Sequence, residues 1–346
     1  MTPVIPCTPR VRCIVNQTDI LVPINVVVSH TNTGSAGRFS LIFALNQRPP
    51  AYWVTIGRAY IAIQFSCDGG LSYCDIMEGD ADAMRLDPVA GTAAIVGRDL
   101  TALLLNQRAS ASYQNKSSSE IVSDIANSHG INADVTRTVE TAGRYYSGDR
   151  VIAPLAQGAL LHSEWDVIAA LALHENFDAY VQGRTVFFHP ADRRAAIVVN
   201  LTPGEVISLA YECVLPRGES RNIEVSSWNS ALGRTVTGQP PGTVPEPLVS
   251  SLDAITVIRP NLWPDDAEAL GRRLRRSLES RSATVTLDMQ ADLQMGAGQS
   301  LRFPGWAILG DQTFVIQSIT RKFRQGSGLT QKIRAVLRPS DNSGNP

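Results

Sequence analysis

The stretch Ala283-Thr-Val-Thr-Leu-Asp-Met289 decides the fold class. Val285, Leu287 and Met289 alternate with Thr284, Thr286 and Asp288, and a period of two sends one row of side chains into an apolar interior and the other into water. Strand-like runs lie on both sides of it: Ile197-Val-Val-Asn-Leu201, Val206-Ile-Ser-Leu-Ala-Tyr211, Arg221-Asn-Ile-Glu-Val-Ser-Ser-Trp228, Thr313-Phe-Val-Ile-Gln-Ser-Ile-Thr320 and Lys332-Ile-Arg-Ala-Val-Leu-Arg338. This is barrel or sandwich patterning. The first hundred residues read the same way, with short runs at Arg12–Val15, Ile24–Val28, Phe39–Leu45 and Tyr60–Phe65 spaced by Gly, Asn, Pro and Ser. Phe39, Ile42 and Ala44 do not alternate cleanly, but brevity and β-branched and aromatic content favour strand over helix.

Between about 109 and 196 the period changes. Ser117-Ser-Ser-Glu120 is a capping box leading into Ile121, Val122, Ile125 and Ala126 on one helical stripe, and Gly130 is placed to stop that helix. A second helix starts near Ser163, with Asp166 three residues on, buries Trp165, Ile168, Ala169 and Ala172, and ends near Asn176. Phe177–Val181 and Arg184–Phe188 read as a hairpin turned at Gln182-Gly183.

Two features interrupt the C-terminal strands. Thr237–Pro247 carries four prolines and two glycines, as a linker or exposed loop does. A helix follows at about 264–281: Pro264 suits a first turn, Asp265 and Asp266 suit its positive end, and Ala267, Leu270, Leu274 and Leu278 share a face. Arg272, Arg273, Arg275 and Arg276 crowd the other side, read plainly as a solvated face and more sharply as a contact with an acidic partner subunit. Asp341–Pro346 reads as a loose tail.

At 346 residues the chain exceeds one ordinary core, so two to three domains are expected. Apolar residues make up 44% and charged residues 18%, the balance of a folded globular protein. Lys plus Arg number 31 against 32 acidic residues, which leaves no net positive field for nucleic acid phosphates or an anionic membrane. The proline-broken start, Met1–Arg10, does not read as a secretory signal, and no run approaches the roughly 18 apolar residues that span a bilayer. A cytoplasmic site of synthesis is expected. Cys7, Cys13, Cys67, Cys74 and Cys213 form no C-x-x-C pair and are expected mostly as small buried hydrophobes. Cys67 and Cys74 flank Asp68-Gly69-Gly70 and could face each other across a hairpin, although a reducing cytoplasm argues against a bond.

Chemistry is hard to find. G-x-G-x-x-G, G-x-x-x-x-G-K-[ST], G-x-S-x-G and H-E-x-x-H are all missing. His162, Glu164, His174, Glu175 and His189 share a stretch, but His162 and His174 are twelve residues apart (174 minus 162), about 18 Å along a helix at roughly 1.5 Å per residue. They cannot share an ion unaided. Glu164, Asp166, Glu175 and Asp178 single out no acid and base pair of the glycosidase kind, and His129 reads as a partner of a helix dipole or a surface residue. No catalytic, cofactor-binding or metal-binding residue is expected.

A resemblance adds to this reading. Ile95-Val-Gly-Arg-Asp-Leu-Thr-Ala-Leu-Leu-Leu105 followed by Ser117–Ile131, with its Ser-Glu-Ile-Val helix ending in His-Gly, is similar to the late control D and baseplate hub proteins of tailed phages. Ser163–Ala172, Asn176–Val181 and Thr185–Pro190 resemble that family's next block, and Gly298–Arg302 with Thr313–Thr320 resemble its closing strands. The likeness runs in order over about 95 to 340. It implies a mainly β chain with an α+β part: a first tube-like barrel over 1–108, a small α+β region over 109–196, and a second tube-like barrel over 197–346 that carries the helix and the loop at 237–250. It further implies a non-enzymatic homotrimer whose six barrels imitate a hexameric tail tube and line the channel for DNA or tape measure. Its partners would be the tail tube or distal tail protein, spike, tape-measure protein and baseplate wedge or sheath-linked proteins, in a virion tail assembled in the host cytoplasm. A tail-associated peptidoglycan hydrolase, or the hub of a contractile injection or gene-transfer particle, are the alternatives.

Overall fold

A computed structural model describes residues 8–338 apart from 33–34, 147–148, 153–161, 176, 191, 214–222, 231, 239–254, 260–261, 263 and 281. The Pro/Gly-rich loop past Gly238, Cys7 and the tail at 341–346 lie outside the described residues.

The N-terminal strands are β1 (Arg10–Val15), β2 (Asp19–Leu21), β3 (Asn25–Thr31), β4 (Arg38–Ala44), β5 (Tyr60–Ser66), β6 (Cys74–Asp87) and β7 (Thr92–Asp99), with helix α1 (Pro50–Thr55) before β5. They hydrogen-bond in the order β3-β4-β7-β6-β5-β1-β2. One face buries a single cluster that includes Val11, Cys13, Val26, Leu41, Ile61, Phe65 and Ile95. In β4 the inward row is Phe39, Leu41 and Phe43, a clean alternation that places Ile42 and Ala44 on the other face. Of the six residues of α1, Trp53 is buried, its indole N–H donating to the Leu45 carbonyl at 3.0 Å, and Tyr52 packs half-buried against the same core. So short a helix cannot cover seven strands; the sheet covers its own apolar face by curling.

The cysteines depart from expectation. Cys13 is buried on the inner row of β1, but Cys74 and Cys213 are exposed. Cys74 stands opposite Phe65, so the hairpin register carries Cys67 past it and no disulfide joins the two.

The middle region comprises α2 (Thr101–Asn106), β8 (Tyr113–Gln114), α3 (Ser118–Ser128), β9 (Asn132–Val135), β10 (Arg144–Tyr146), β11 (Asp149–Ile152), α4 (Glu164–Glu175), β12 (Phe177–Gln182), β13 (Thr185–Pro190) and α5 (Asp192–Ala195). The capping box is present: Glu120 accepts from the Ser117 N–H at 2.8 Å while Ser117 Oγ accepts from the Glu120 N–H. α3 ends at His129, and Gly130 takes φ +64°. Ile121, Val122, Ile125 and Ala126 pack against Trp165, Val167, Ile168, Leu171 and Ala172 of α4. Ala169 is exposed instead of buried, because the apolar arc of α4 is centred on Ile168 and Leu171. β12 and β13 form the expected hairpin, and β9 adds to β13 in parallel.

The last part holds β14 (Val198–Asn200), β15 (Val206–Cys213), β16 (Ile223–Asn229), β17 (Arg234–Gly238), β18 (Ile255–Ile258), α6 (Pro264–Ser280), β19 (Ala283–Gln290), β20 (Ser300–Arg302), β21 (Thr313–Arg324) and β22 (Gly328–Leu337). Val285, Leu287 and Met289 of β19 are buried and Thr284, Thr286 and Asp288 are half-buried, as the opening alternation requires. β15, β19, β22 and β21 run side by side, with β20 on β21 and β14 on β20. Residues 223–228 of the run at 221–228 do not join them. β16 pairs with β17 and β18 in a separate three-stranded sheet, and Ala267, Leu270 and Leu274 of α6 pack on its Val225 and Val236. The helix needs an apolar bed, and these strands supply it: a Cβ on Gly238 would lie 2.4 Å from the Ala267 carbonyl carbon.

β21 pairs on one side with β22 and on the other with β3, so the two halves form one 13-stranded sheet over two separate cores.

Candidate functional site

The segment carrying the resemblance spans the end of β7 and α2. Gly97 passes so close to β6 and β4 that a Cβ would lie 2.3 Å from both the Asp80 carbonyl oxygen and the Phe39 ring. Arg98 points outward and donates to Asp82 at 2.7 and 2.8 Å. Asp99 turns inward and accepts from the Gly37 N–H at 2.8 Å and the Thr101 N–H at 3.0 Å, tying β4 to the first turn of α2. Burial pushes its carboxyl up to about 6, against the pull of those hydrogen bonds. The residues of this step are joints between elements.

The titratable residues of the middle region are likewise engaged in structure. His129 faces Glu164 at 2.5 Å, clamping the end of α3 to the start of α4, so it is more than a helix-end or surface residue. Asp166 is raised by burial but held lower overall by hydrogen bonds from Ser163 and from the His162 N–H, as a helix cap is. Glu175 accepts from Ser118 Oγ at 2.5 Å, and His189 is buried against Thr136, Arg193 and Asp134. His162 and His174 sit near opposite ends of α4. Among the described residues no three His, Cys, Asp or Glu side chains converge as a metal site would require.

What the chain offers is sheet edge. The main path of the large sheet ends at β2 and at β15, with a side branch ending at β14, and an unpaired edge is a template for another strand. The two ends differ. At β2 the outer groups are covered: Gln47 donates to the Val22 carbonyl at 2.6 Å and accepts from the Val22 N–H at 2.9 Å, while Arg48 donates to the Ile20 carbonyl. β15 pairs with β19 alone, and among the described residues no strand lies on its other side. Its register shifts between Val206 and Ser208, a bulge that turns Ile207 out to 66% exposure while Val206, Leu209 and Tyr211 pack on the core. No glycine marks that bulge in the sequence; its one sign there is an isoleucine out of phase with its core neighbours.

This mainly antiparallel fold is that of phage tail proteins and of a type VI secretion component. The 43 kDa tail protein of prophage MuSo2 from Shewanella oneidensis superposes with a TM-score of 0.67 at 13% identity, covering 95% of this chain and 97% of that one. A tail protein from Neisseria meningitidis MC58 gives 0.69 at 10% identity over 95% and 96%. The E. coli c3393 protein, a type VI secretion component with structural similarity to T4 tail proteins gp27 and gp5, gives 0.55 at 13% identity over 92% and 74%. No family model and no curated relative matches the chain.

Proposed function

We propose that this chain is the structural hub of a phage or phage-like tail, a homotrimeric ring that adapts a hexameric tail tube to a central spike and lines the channel for DNA or tape measure. The observation that carries the reading is the asymmetry of the sheet's ends, capped at β2 and open at β15 beside an exposed Ile207. A cyclic trimer needs a contact between two different surfaces, so in this reading the open β15 edge of one copy packs against another face of the next and not against its β15. Two curled half-sheets per chain give six in a trimer, the number a hexameric tube presents. In this reading the ring works without catalysis, sits in the tail or baseplate, and meets the tube or distal tail protein, spike, tape-measure protein and wedge or sheath-linked proteins.

The test is the solution mass by light scattering with negative-stain images. Three chain masses and a ring with a central channel are expected. The substitution Ile207→Lys, on the edge and away from both cores, is expected to leave the far-ultraviolet circular dichroism unchanged and lower the mass to one chain. A ring that persists in Ile207→Lys would move the interface away from β15.

A further inference from the structure

The inward row of β21 reads Phe314, Ile316, Ile319, Arg321 and Phe323, so an arginine fills a place that the alternation gives to an apolar side chain. Ile319 belongs to the C-terminal core and Phe323 to the N-terminal core, which puts Arg321 at the seam between them. It is 4% exposed. Its Nη2 donates to the carbonyls of Asp292 and Met295 in the loop between β19 and β20, at 3.2 and 2.5 Å. Its Nε has no acceptor, and among the described residues no carboxylate forms an ion pair with it. Burial lowers its pKa only to about 10, so it stays charged at neutral pH. The Asp292 carboxylate attracts it electrostatically without forming an ion pair, so its charge is incompletely neutralised, and a buried cation left so is unfavourable.

Beside Arg321 lies a cavity of about 260 Å³, which Arg194 and His30 also line. Arg194 stacks 3.6 Å over the Tyr180 ring and donates to Gln182 at 3.1 Å. It runs past Gly298, at φ +90°, where a Cβ would come 3.0 Å from Arg194 Cδ; a side chain there would crowd the arginine. His30 Nε2 is sealed from solvent and lacks a partner. Burial, then the charges of Arg321 and Arg194, hold this imidazole far below its usual range, so it is neutral and able to donate one N–H. The two carboxylates in the lining are engaged elsewhere: Asp75 accepts from Gln64 at 2.5 Å, and Asp99 accepts from Gly37 and Thr101. The cavity therefore holds an excess of cationic donors over free acceptors.

We propose that the cavity binds a small tetrahedral oxyanion of the phosphate or sulfate class, held by Arg321 and Arg194 at the seam between the two halves. Guanidinium forks suit such oxygens better than any other side chain does. The ion neutralises the buried charge and ties the β19–β20 loop to both cores. This inference is independent of the ring, since the cavity is formed within one chain.

The full-length protein, in chloride buffer at fixed ionic strength, is titrated with inorganic phosphate and followed by calorimetry and thermal unfolding. One saturable site per chain is expected, with a Tm rise that levels off at millimolar phosphate, as ligand linkage requires. Sulfate should compete and acetate should not; tighter binding of acetate would assign the cavity to a carboxylate and overturn the proposal. Arg194→Gln is expected to weaken phosphate binding by roughly tenfold or more and, whatever its Tm in chloride, to lose most of the phosphate-dependent rise in Tm. Arg321→Gln tests the same point if it folds, and Arg194→Gln decides it if Arg321→Gln does not. The proposal fails if wild type gives no saturable heat, or if Tm climbs without saturation and equally in Arg194→Gln, which is the general effect of an excluded salt on a cavity holding only water.

Discussion

Asp99 is pulled two ways, by burial that favours its neutral form and by hydrogen bonds from the Thr101 side chain and the Gly37 and Thr101 N–H groups that favour its anion, and burial wins. Its pKa of about 6 in the folded chain, against 3.8 for the free side chain, means the folded state holds the proton longer than the unfolded one. Stability from this residue is thus full below pH 4 and falls as pH rises to about 6, by on the order of 3 kcal/mol for a shift of that size. The caps Glu120 and Glu205, whose carboxyls are lowered by hydrogen bonds from Ser117 and Thr202, act oppositely and lose stability as pH falls. Replacing Asp99 with Asn should flatten the decline in urea midpoint between pH 4 and 6 and leave the acid limb intact. Gly97→Ala, facing the Asp80 carbonyl and the Phe39 ring, should destabilise by about 3 kcal/mol or more by chemical denaturation. The Gly-Arg-Asp-Leu step could be recognised in the sequence, but its reasons could not: Phe39, Gly37, Asp80 and Asp82 meet it only across strands.

At the scale of elements, legibility followed the range of the interactions. The Ser117–Glu120 box is local, so the start and inner stripe of α3 could be read directly, and Ser117→Ala should cost about 1 kcal/mol in thermal or urea unfolding. The 12-residue α4 can be located by the same signals, yet its periodicity does not show that Ala169 faces solvent, since which side of a mostly apolar helix is buried depends on what packs against it. Strand partnership is the least local property of all. The run at 221–228 has the pattern of a large-sheet strand, yet its residues 223–228 lie in a separate sheet on which α6 finds its apolar bed. The candidate edge was hidden for a related reason, because the β15 bulge and the Gln47 cap on β2 both depend on neighbours distant in sequence.

For the whole molecule, the seam between β3 and β21 makes two cores into one cooperative object. Phe323 and Leu329, from the C-terminal strands, are buried in the N-terminal core. Phe323→Ala should therefore destabilise both halves together, by about 3–5 kcal/mol, with a single calorimetric transition retained; two separated transitions would show that the halves unfold independently.

The seam also has a consequence in time. Ser29 and Thr320, hydrogen-bonded through their hydroxyls at 3.1 Å, are 291 residues apart in the chain. On a ribosome adding about 5–20 residues per second, β3 emerges roughly 15 to 60 seconds before the strand that completes its ladder is made. Throughout that interval the nascent chain carries a bare Val26-Val-Val28 strand, so its yield in the cell should depend on chaperones that shield the waiting edge.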